Sequence, residues 1–338
     1  MIDSDALKAA RRAVADACLV CRAVQRDTDS ITGPLKDDRS PVTVADYASQ
    51  AVVIHRLRES LGEVHCVGEE DADALRSPDA EGLRRAVVAA ARLVWTDATE
   101  DEVLDAIDGG NDPGARESFW TLDPIDGTKG FLRGEQYAVS LAYIDGNVPT
   151  LGVLGCPNLP MDFSQPFDHP DAHGAIYVAS RNYGLYEVPA DEPSMPLRKA
   201  PTLGHQPGDT VRMCESVESG HSRHEHSAQI MEKLGVATES FRLDSQAKYA
   251  VVARGQADVY LRMPTRPGYR EKIWDHAAGA LCASEGGAVV TDITGAPLDF
   301  SKGPTLSDNR GIVCASPQIH GRIIRAIDEL GFAQMGMD

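Results

Sequence analysis

The run Asp123-Pro124-Ile125-Asp126-Gly127-Thr128 follows directly on the apolar stretch Phe119-Trp120-Thr121-Leu122, and so forces a strand, a sharp turn and a helix start into one short segment. The apolar stretch reads as a buried strand. Pro124 has no amide hydrogen to give to a ladder, so the strand is expected to stop near Asp123. The turn then aims two acid side chains and a released backbone carbonyl at one point. Gly127 and Thr128 fall at a helix start, where exposed N–H groups favour an anion. An oxygen-only set of this kind suits Mg²⁺, which keeps several waters and is shared between a few carboxylates and a phosphate. The same residues also describe an ordinary turn, because Asp, Pro and Gly are the commonest turn formers and Asp caps its own backbone.

A chain of 338 residues with 42% hydrophobic content can bury one large core or two ordinary ones, which excludes disorder along its whole length. The net charge of −18 argues against a nucleic-acid or anionic-membrane surface, since either needs clustered basic residues. An acidic chain that acts on an acidic small molecule needs local positive charge, and bound metal ions supply it. No stretch reaches the roughly 20 apolar residues of a membrane span. The start Met1-Ile2-Asp3-Ser4-Asp5 lacks the basic-then-apolar order of a secretory signal. Seven scattered cysteines do not make a disulfide framework, so a reducing cytoplasm is the expected setting. Cys18 and Cys21 form a C-x-x-C within the helical pattern Ala6 to Gln25, where residues three apart share a face. Small core residues are the expectation there and a redox pair is the alternative. No second C-x-x-C exists to complete a zinc site.

Asp5 to about Val24 and Pro41 to Ser60 carry helical spacing around a loop rich in Asp, Gly and Pro. His65-Cys66-Val67-Gly68 reads as a short strand ending in Glu69-Glu70-Asp71. Ala72 to Gly114 reads as one or two surface helices and a loop. Ala138 to Ile144, Leu151 to Leu154 and Ala175 to Ala179 read as strands joined by antiparallel hairpins, with Asp145-Gly146-Asn147 as one turn. The Pro- and Gly-rich stretch from Pro189 to Asp209 marks a seam. It divides an α+β domain with mostly antiparallel sheet (1–200) from an α/β domain (201–338). Beyond the seam, Ser227 to Leu234, Gln246 to Arg254, Trp274 to Glu285 and Pro317 to Leu330 read as helices. Ala257 to Met263, Ala288 to Thr291 and Gly311 to Ala315 read as strands alternating with them.

Four acids fall at element ends: Glu69, Asp123, Asp126 and Asp275, the last at a helix start where an aspartate also serves as a cap. Their neighbours carry a resemblance. Trp120 to Gly134, WTLDPIDGTKGFLRG, resembles the signature of the lithium-sensitive, Mg²⁺-dependent phosphatases related to inositol monophosphatase. The extension Lys129-Gly130-Phe131-Leu132-Arg133-Gly134 is similar to the 3′(2′),5′-bisphosphate nucleotidase branch of that family. Ile273-Trp274-Asp275-His276-Ala277-Ala278-Gly279 resembles the second family signature, and Gly68-Glu69-Glu70 the metal-binding glutamate loop. Ser40-Pro41-Val42-Thr43-Val44-Ala45-Asp46-Tyr47, preceded by Lys36, Asp37 and Asp38, resembles the family's flexible lid, although loop-to-helix capping explains the same residues. The resemblance runs from the first helix to about Ser316 and is weakest at Ala72 to Glu117 and Met161 to Asp171.

That resemblance implies an α/β (α+β) chain folded as a layered αβαβα sandwich of the inositol monophosphatase and fructose-1,6-bisphosphatase type, with its site in a cleft between the two domains. It implies two or three Mg²⁺ ions: one held by Glu69, Asp123 and the Ile125 carbonyl, another by Asp123, Asp126 and Asp275. The Gly127 and Thr128 amides would orient a phosphate. Asp46 is implied to pair with Thr128, accepting the hydroxyl proton so that the hydroxyl oxygen can accept one from the attacking water. Hydrolysis would be in-line, with metal clamping and fixed geometry in place of a phosphoenzyme. Lithium sensitivity is implied in the same way.

Ser216 to Ser222, Leu243 to Tyr249 and Val259 to Arg262 resemble nucleotide-contacting segments of the bisphosphate nucleotidases, which marks His221, Ser245, Lys248 and Arg262 for the substrate. A nucleoside bisphosphate needs a flat partner for its base, which His221 offers. It also needs fixed cations for the phosphate that stays, which Lys248 and Arg262 offer. The cluster His221, His224 and His226 with Glu225 invites a zinc reading, but its spacing fits no common site and solvated histidines at a helix start are the expectation. The implied activity is removal of the 3′-phosphate of adenosine 3′,5′-bisphosphate, with the sulfated nucleotide and the 2′ isomer as further substrates. The implied protein is a monomer that binds neither nucleic acid nor membrane. An inositol polyphosphate 1-phosphatase or inositol monophosphatase-like enzyme is one alternative, and would leave those four residues without an adenine nucleotide to recognise. A catalytically silent metal-binding protein of the same fold is another, which the joint presence of Asp46, Thr128 and all four carboxylates disfavours.

Overall fold

The computed structural model describes residues 4–27, 43–167, 169–202, 204–206, 208–218, 224–235, 238–266 and 268–334. The chain opens with α1 (Asp5–Arg26), where Ser4 Oγ accepts from Leu7 N at 3.2 Å and so caps the first turn. Then comes α2 (Val44–Leu61), started by a capping box between Thr43 and Asp46. After these follow β1 (Cys66–Gly68), α3 (Glu81–Ala91), α4 (Glu100–Asp108), β2 (Ser118–Asp126), α5 (Thr128–Leu132), β3 (Ala138–Asp145), β4 (Val148–Cys156), β5 (Ala175–Ser180), β6 (Gly184–Pro189) and β7 (Arg198–Lys199). The remainder is β8 (Val211–Glu215), α6 (His224–Leu234), β9 (Thr238–Arg242), α7 (Ala247–Ala253), β10 (Val259–Arg262), α8 (Ala277–Glu285), β11 (Val289–Thr291), β12 (Ile312–Ala315) and α9 (Pro317–Glu329).

Strands β1 to β7 form one sheet in sequence order, with β1 parallel to β2 and every later pair antiparallel. The second sheet runs β11-β12-β10-β8-β9, antiparallel at its β11-β12-β10 end and parallel across β10-β8-β9. Helices α1 and α2 cover one face of the first sheet, α7 and α8 lie between the sheets, and α6 and α9 cover the outer face of the second. The αβαβα layering implied by the resemblance is therefore the layering observed.

Burial follows from that order. All of 277–283 in α8 is buried, as a helix enclosed by two sheets must be, whereas α9 buries only the stripe Ile319, His320, Ile323, Ala326 and Ile327. Strand β5, covered on both faces, is buried at every position. Cys18 and Cys21 lie in the core on α1 as free thiols, and burial pushes both well above the ordinary thiol range. No helix among the described residues is long and apolar enough to cross a membrane.

Several expectations are corrected. Pro124 does not end β2 at Asp123; the strand continues to Asp126, and the cost of the proline appears instead as a break in register between Asp123 and Asp126. The helix expected from Trp274 begins at Ala277, with His276 in the cap position and making no side-chain cap bond, so Asp275 lies before the helix rather than in its first turn. Strands β6, β8 and β9 were not legible from pattern, and the Pro-rich seam contains β7, which pairs with β6 at the edge of the first sheet. The lid segment is described only from Thr43 onward, and the rest of it lies outside the described residues.

Contact between α1 and β4 depends on Gly155, where a Cβ would stand 2.4 Å from Cys18 Sγ and 2.8 Å from Val14 Cγ1. Gly155→Ala is expected to destabilise the protein by about 1–3 kcal/mol through overpacking, read as a lower urea midpoint with an unchanged slope.

Candidate active site

The break in β2 is where the site begins. Asp123 is buried opposite Ser140 of β3, and its Oδ1 accepts from Ile125 N at 3.1 Å, so the turn is stabilised by the carboxylate that also faces the cleft. The turn reading therefore holds for this residue, whose carboxylate is also among those lining the cleft. Ser49 of α2 donates to the Pro124 carbonyl at 2.9 Å and holds the turn from behind. Gly127 then takes φ +86°, in the left-handed region, and α5 starts at Thr128.

Absence of a side chain at Gly127 also brings the second half of the chain close. A Cβ there would stand 3.0 Å from Ser245 Cβ and 3.2 Å from its amide nitrogen. Through that gap Gln246 N donates to Asp126 Oδ2 at 2.6 Å. The Gln246 side chain donates to the Trp274 carbonyl at 2.8 Å and accepts from Gly279 N at 2.9 Å. One residue thus ties the loop bearing Asp126 to the segment bearing Asp275. Glu69 is set by β1, its own amide donating to Leu122 O at 3.2 Å, while Gln50 Oε1 accepts from Glu70 N at 3.1 Å.

Glu69, Asp123, Ile125, Asp126, Gly127, Thr128, Ser245, Lys248, Arg262 and Asp275, all marked in the sequence, line one cleft of about 140 Å³. Asp46 is fully buried behind it: its Oδ2 accepts from Thr43 N at 2.8 Å and Thr43 Oγ1 at 2.6 Å, and its Oδ1 lies 3.5 Å from Thr128 Oγ1. Thr128 Oγ1 also lies 3.2 Å from the Ile125 carbonyl, so two acceptors compete for its proton.

Electrostatics of the carboxylates decide what the cleft can hold. Burial, then the charges of Glu69, Asp126 and Asp275, push Asp123 well above the ordinary carboxylate range. Burial lifts Asp126 to about 6, against the pull of Lys248, Arg262 and the Gln246 amide. Burial also raises Asp275 well above its usual value, with Arg262 opposing and Asp126, Glu69 and Glu271 adding to the rise. Like charges held this close need protons or a cation between them. An all-oxygen set of partly buried carboxylates fits a hard divalent ion such as Mg²⁺, so Glu69, Asp123, Asp126 and Asp275 are the residues that would hold it.

The cations that line the cleft beside these acids are already engaged. Lys248 is buried with Nζ 3.1 Å from the Leu243 carbonyl and 5.2 Å from the centre of the Tyr260 ring, and burial lowers its pKa against the field of Asp126. Arg262 Nη2 stands 2.7 Å from Glu271 and 3.7 Å from Asp275 Oδ2. Glu271 in turn meets His276 Nε2 at 3.2 Å, and His276 Nδ1 meets Tyr249 OH at 2.9 Å. The sequence reading missed Gln50, Gln246, Glu271 and Tyr249. Only Gln246 and Tyr249 sat in a segment it had singled out.

His221 lies outside the described residues. His224 sets its Nε2 3.0 Å from the Ser216 carbonyl, and His226 stacks on Phe332 at 4.3 Å between ring centres. Each is half-buried with its own partner, which corrects the expectation of solvated rings.

The model of the inositol monophosphatase family matches residues 2–331. Among curated proteins the chain is 42% identical over 302 residues to the 3′(2′),5′-bisphosphate nucleotidase of Schizosaccharomyces pombe, covering 86% of this chain and 84% of that protein. It is 39% identical over 337 residues to the protein of the same name from Oryza sativa, covering 96% and 93%. Among solved structures, the extragenic suppressor protein suhB from Bartonella henselae aligns with a TM-score of 0.64 over 96% of this chain and 99% of that one. At 17% identity that likeness speaks to the fold alone.

A carboxyl whose pKa rises on folding stabilises the fold while protonated, and that contribution is lost as pH climbs through the folded value. For Asp126 the window runs from the ordinary 3.8 to about 6, and Asp123 and Asp275 shift in the same direction. Metal-free protein should lose this contribution as pH rises through that window, and Mg²⁺ should restore it. The rise in Tm on adding Mg²⁺ is therefore expected to grow between about pH 4 and pH 6 as Asp126 loses its proton, and to go on growing above that as Asp123 and Asp275 follow, measured by scanning calorimetry against a chelator-treated control.

Proposed function

This chain belongs to the inositol monophosphatase family, and on that premise we propose that it removes the 3′-phosphate of adenosine 3′,5′-bisphosphate, giving adenosine 5′-monophosphate and phosphate. The observation that carries the chemistry is the meeting, at one cleft, of four carboxylates with a threonine hydroxyl backed by a buried aspartate. The choice of substrate is supported by the curated relatives named 3′(2′),5′-bisphosphate nucleotidase at about 40% identity over most of the chain. Enzymes of this family are metal-dependent, with Mg²⁺ typical. Two or three ions, held by the four carboxylates and the Ile125 carbonyl, are the number the family resemblance implies.

Bound Mg²⁺ would neutralise charge on the phosphoryl group and make an attacking water more acidic. The chain's own residues do the rest. Asp46, fixed by Thr43, offers Oδ1 to the Thr128 proton, which leaves a lone pair of the Thr128 oxygen to accept from a water in the cleft. Gly127 and Thr128 place their amides at the mouth of α5, where a phosphate oxygen can accept from them. Lys248, buried beside Asp126, and Arg262, held between Glu271 and Asp275, supply fixed positive charge next to the acids. Fixed charge and geometry are the main terms in phosphoryl transfer, which needs no covalent bond to the protein.

Phosphate release from adenosine 3′,5′-bisphosphate with Mg²⁺ should exceed that from inositol phosphates and fall on adding Li⁺. Asp126→Asn should lower kcat/KM by about 10² or more, and Thr128→Val should lower kcat by about 10²–10⁴ with little change in KM. Turnover of an inositol phosphate in preference to the nucleotide would overturn the substrate.

A further inference from the structure

Glu271 is a buried carboxylate that has no part in the chemistry above, although it stands just before the segment bearing Asp275. Its Oε2 faces two donors, Arg262 Nη2 at 2.7 Å and His276 Nε2 at 3.2 Å. The His276 ring is held from its other side, where Nδ1 meets Tyr249 OH at 2.9 Å. Ligand atoms of Glu271, Asp275 and His276 lie within 4.8 Å of one another, yet of the three only Asp275 lines the cleft. Glu271 and His276 are occupied with Arg262 and Tyr249 behind it.

Arg262 Nη2 stands among three oxygens. Glu271 is at 2.7 Å, Tyr269 OH at 3.3 Å and Asp275 Oδ2 at 3.7 Å. A terminal guanidinium nitrogen carries two N–H groups, and the two nearer oxygens account for both. Asp275 is left just beyond hydrogen-bond reach. An arginine and an aspartate this close, in a site that water hardly enters, have a strong tendency to pair. Such a pair would use the lone pairs that a divalent ion needs and set a positive charge against that ion.

We propose that Glu271 is a positioning residue for the metal site: as the preferred counter-ion of Arg262 it keeps the guanidinium off Asp275, so that Asp275 Oδ2 stays available to Mg²⁺. The inference rests on the reading of Asp275 as a metal ligand. Tyr249 and His276 take part by fixing the direction of the Glu271 carboxylate. The arrangement lets a cation sit beside the acid set without competing with the ion for it.

Titration calorimetry of metal-stripped protein with Mg²⁺, in the absence of substrate, tests this through a double-mutant cycle. In Glu271→Gln a neutral amide no longer outcompetes the Asp275 carboxylate for Arg262, and Mg²⁺ binding is expected to weaken about tenfold, a typical size for coupled neighbours. Loss of a negative charge near the ion would do part of this unaided, so the discriminating quantity is the effect of Arg262→Met. That substitution is expected to tighten Mg²⁺ binding severalfold more in the Glu271→Gln background than in the wild type, returning the double variant close to wild-type affinity. A crystal structure of metal-free Glu271→Gln should show Arg262 within hydrogen-bond distance of Asp275, and thermal melts confirm that each variant is folded. Should Arg262→Met alone fail to fold, with Glu271 left uncompensated, the crystal structure decides. Equal effects of Arg262→Met in both backgrounds, or an Arg262 still clear of Asp275 in Glu271→Gln, overturn the positioning role and leave the function standing. An Asp275→Asn variant that binds Mg²⁺ as tightly as the wild type overturns the ligand reading, and the inference with it.

Discussion

Mutual repulsion among Glu69, Asp123, Asp126 and Asp275 is the constraint around which the rest of the molecule is arranged. Two unit charges about 4 Å apart repel by roughly 4 kcal/mol at the effective dielectric of a protein site, several times the net worth of a typical hydrogen bond. Local turn chemistry could not hold such a group together. The four carboxylates are carried on three separate supports: a strand end for Glu69, a break in β2 for Asp123 and Asp126 together, and the approach to α8 for Asp275. Closing the layers of the sandwich brings the supports together, and the hydrophobic burial that stabilises the layers also sustains the charge cluster.

Backbone and amide contacts complete the arrangement at positions that carry no charge. Gln246 accepts from Gly279 N and donates to Asp126 and the Trp274 carbonyl, so the two halves of the acid set keep one spacing. Gln50 does the same between the Glu70 loop and the end of α4 through Ile107. Neutral side chains suit these roles, because a further charge would either neutralise a ligand or add to the repulsion. Where cations do appear, as at Lys248 and Arg262, they stand beside the acids, Arg262 Nη2 3.7 Å from Asp275 Oδ2, and carboxylates or carbonyls hold their direction.

Legibility followed the range of each interaction. The Asp-Pro-x-Asp-Gly-Thr turn could be read because all its residues act within a few positions of one another, and the structure keeps its predicted chemistry while moving the strand end by three residues, from Asp123 to Asp126. Helices α1 and α9 were legible from a one-sided apolar stripe. Strand β9, exposed along most of its length, has no such stripe to read. Asp275 was marked by resemblance to a signature, and the structure sets it before the helix beside His276, whose ring meets Glu271 five residues earlier and Tyr249 of α7.

From the sequence by itself came the alternation of helices and strands and the Asp-Pro-x-Asp-Gly-Thr turn, because short-range patterning encodes them, while the layering, the four-carboxylate set and the pairing of Asp46 with Thr128 came from resemblance to a family. The tertiary structure alone decided which charges face one another: that Arg262 lies between Glu271 and Asp275, that Gln246 rather than a cation caps Asp126, and that Glu218 reaches back to Lys129 and Arg133. Those partners lie tens of residues or more apart for Gln246 and Glu218, and for Arg262 on separate elements of one half of the chain. Only the stacking of the layers sets their distances, and electrostatic interaction, unlike hydrophobic periodicity, depends on distance and burial rather than on order along the chain.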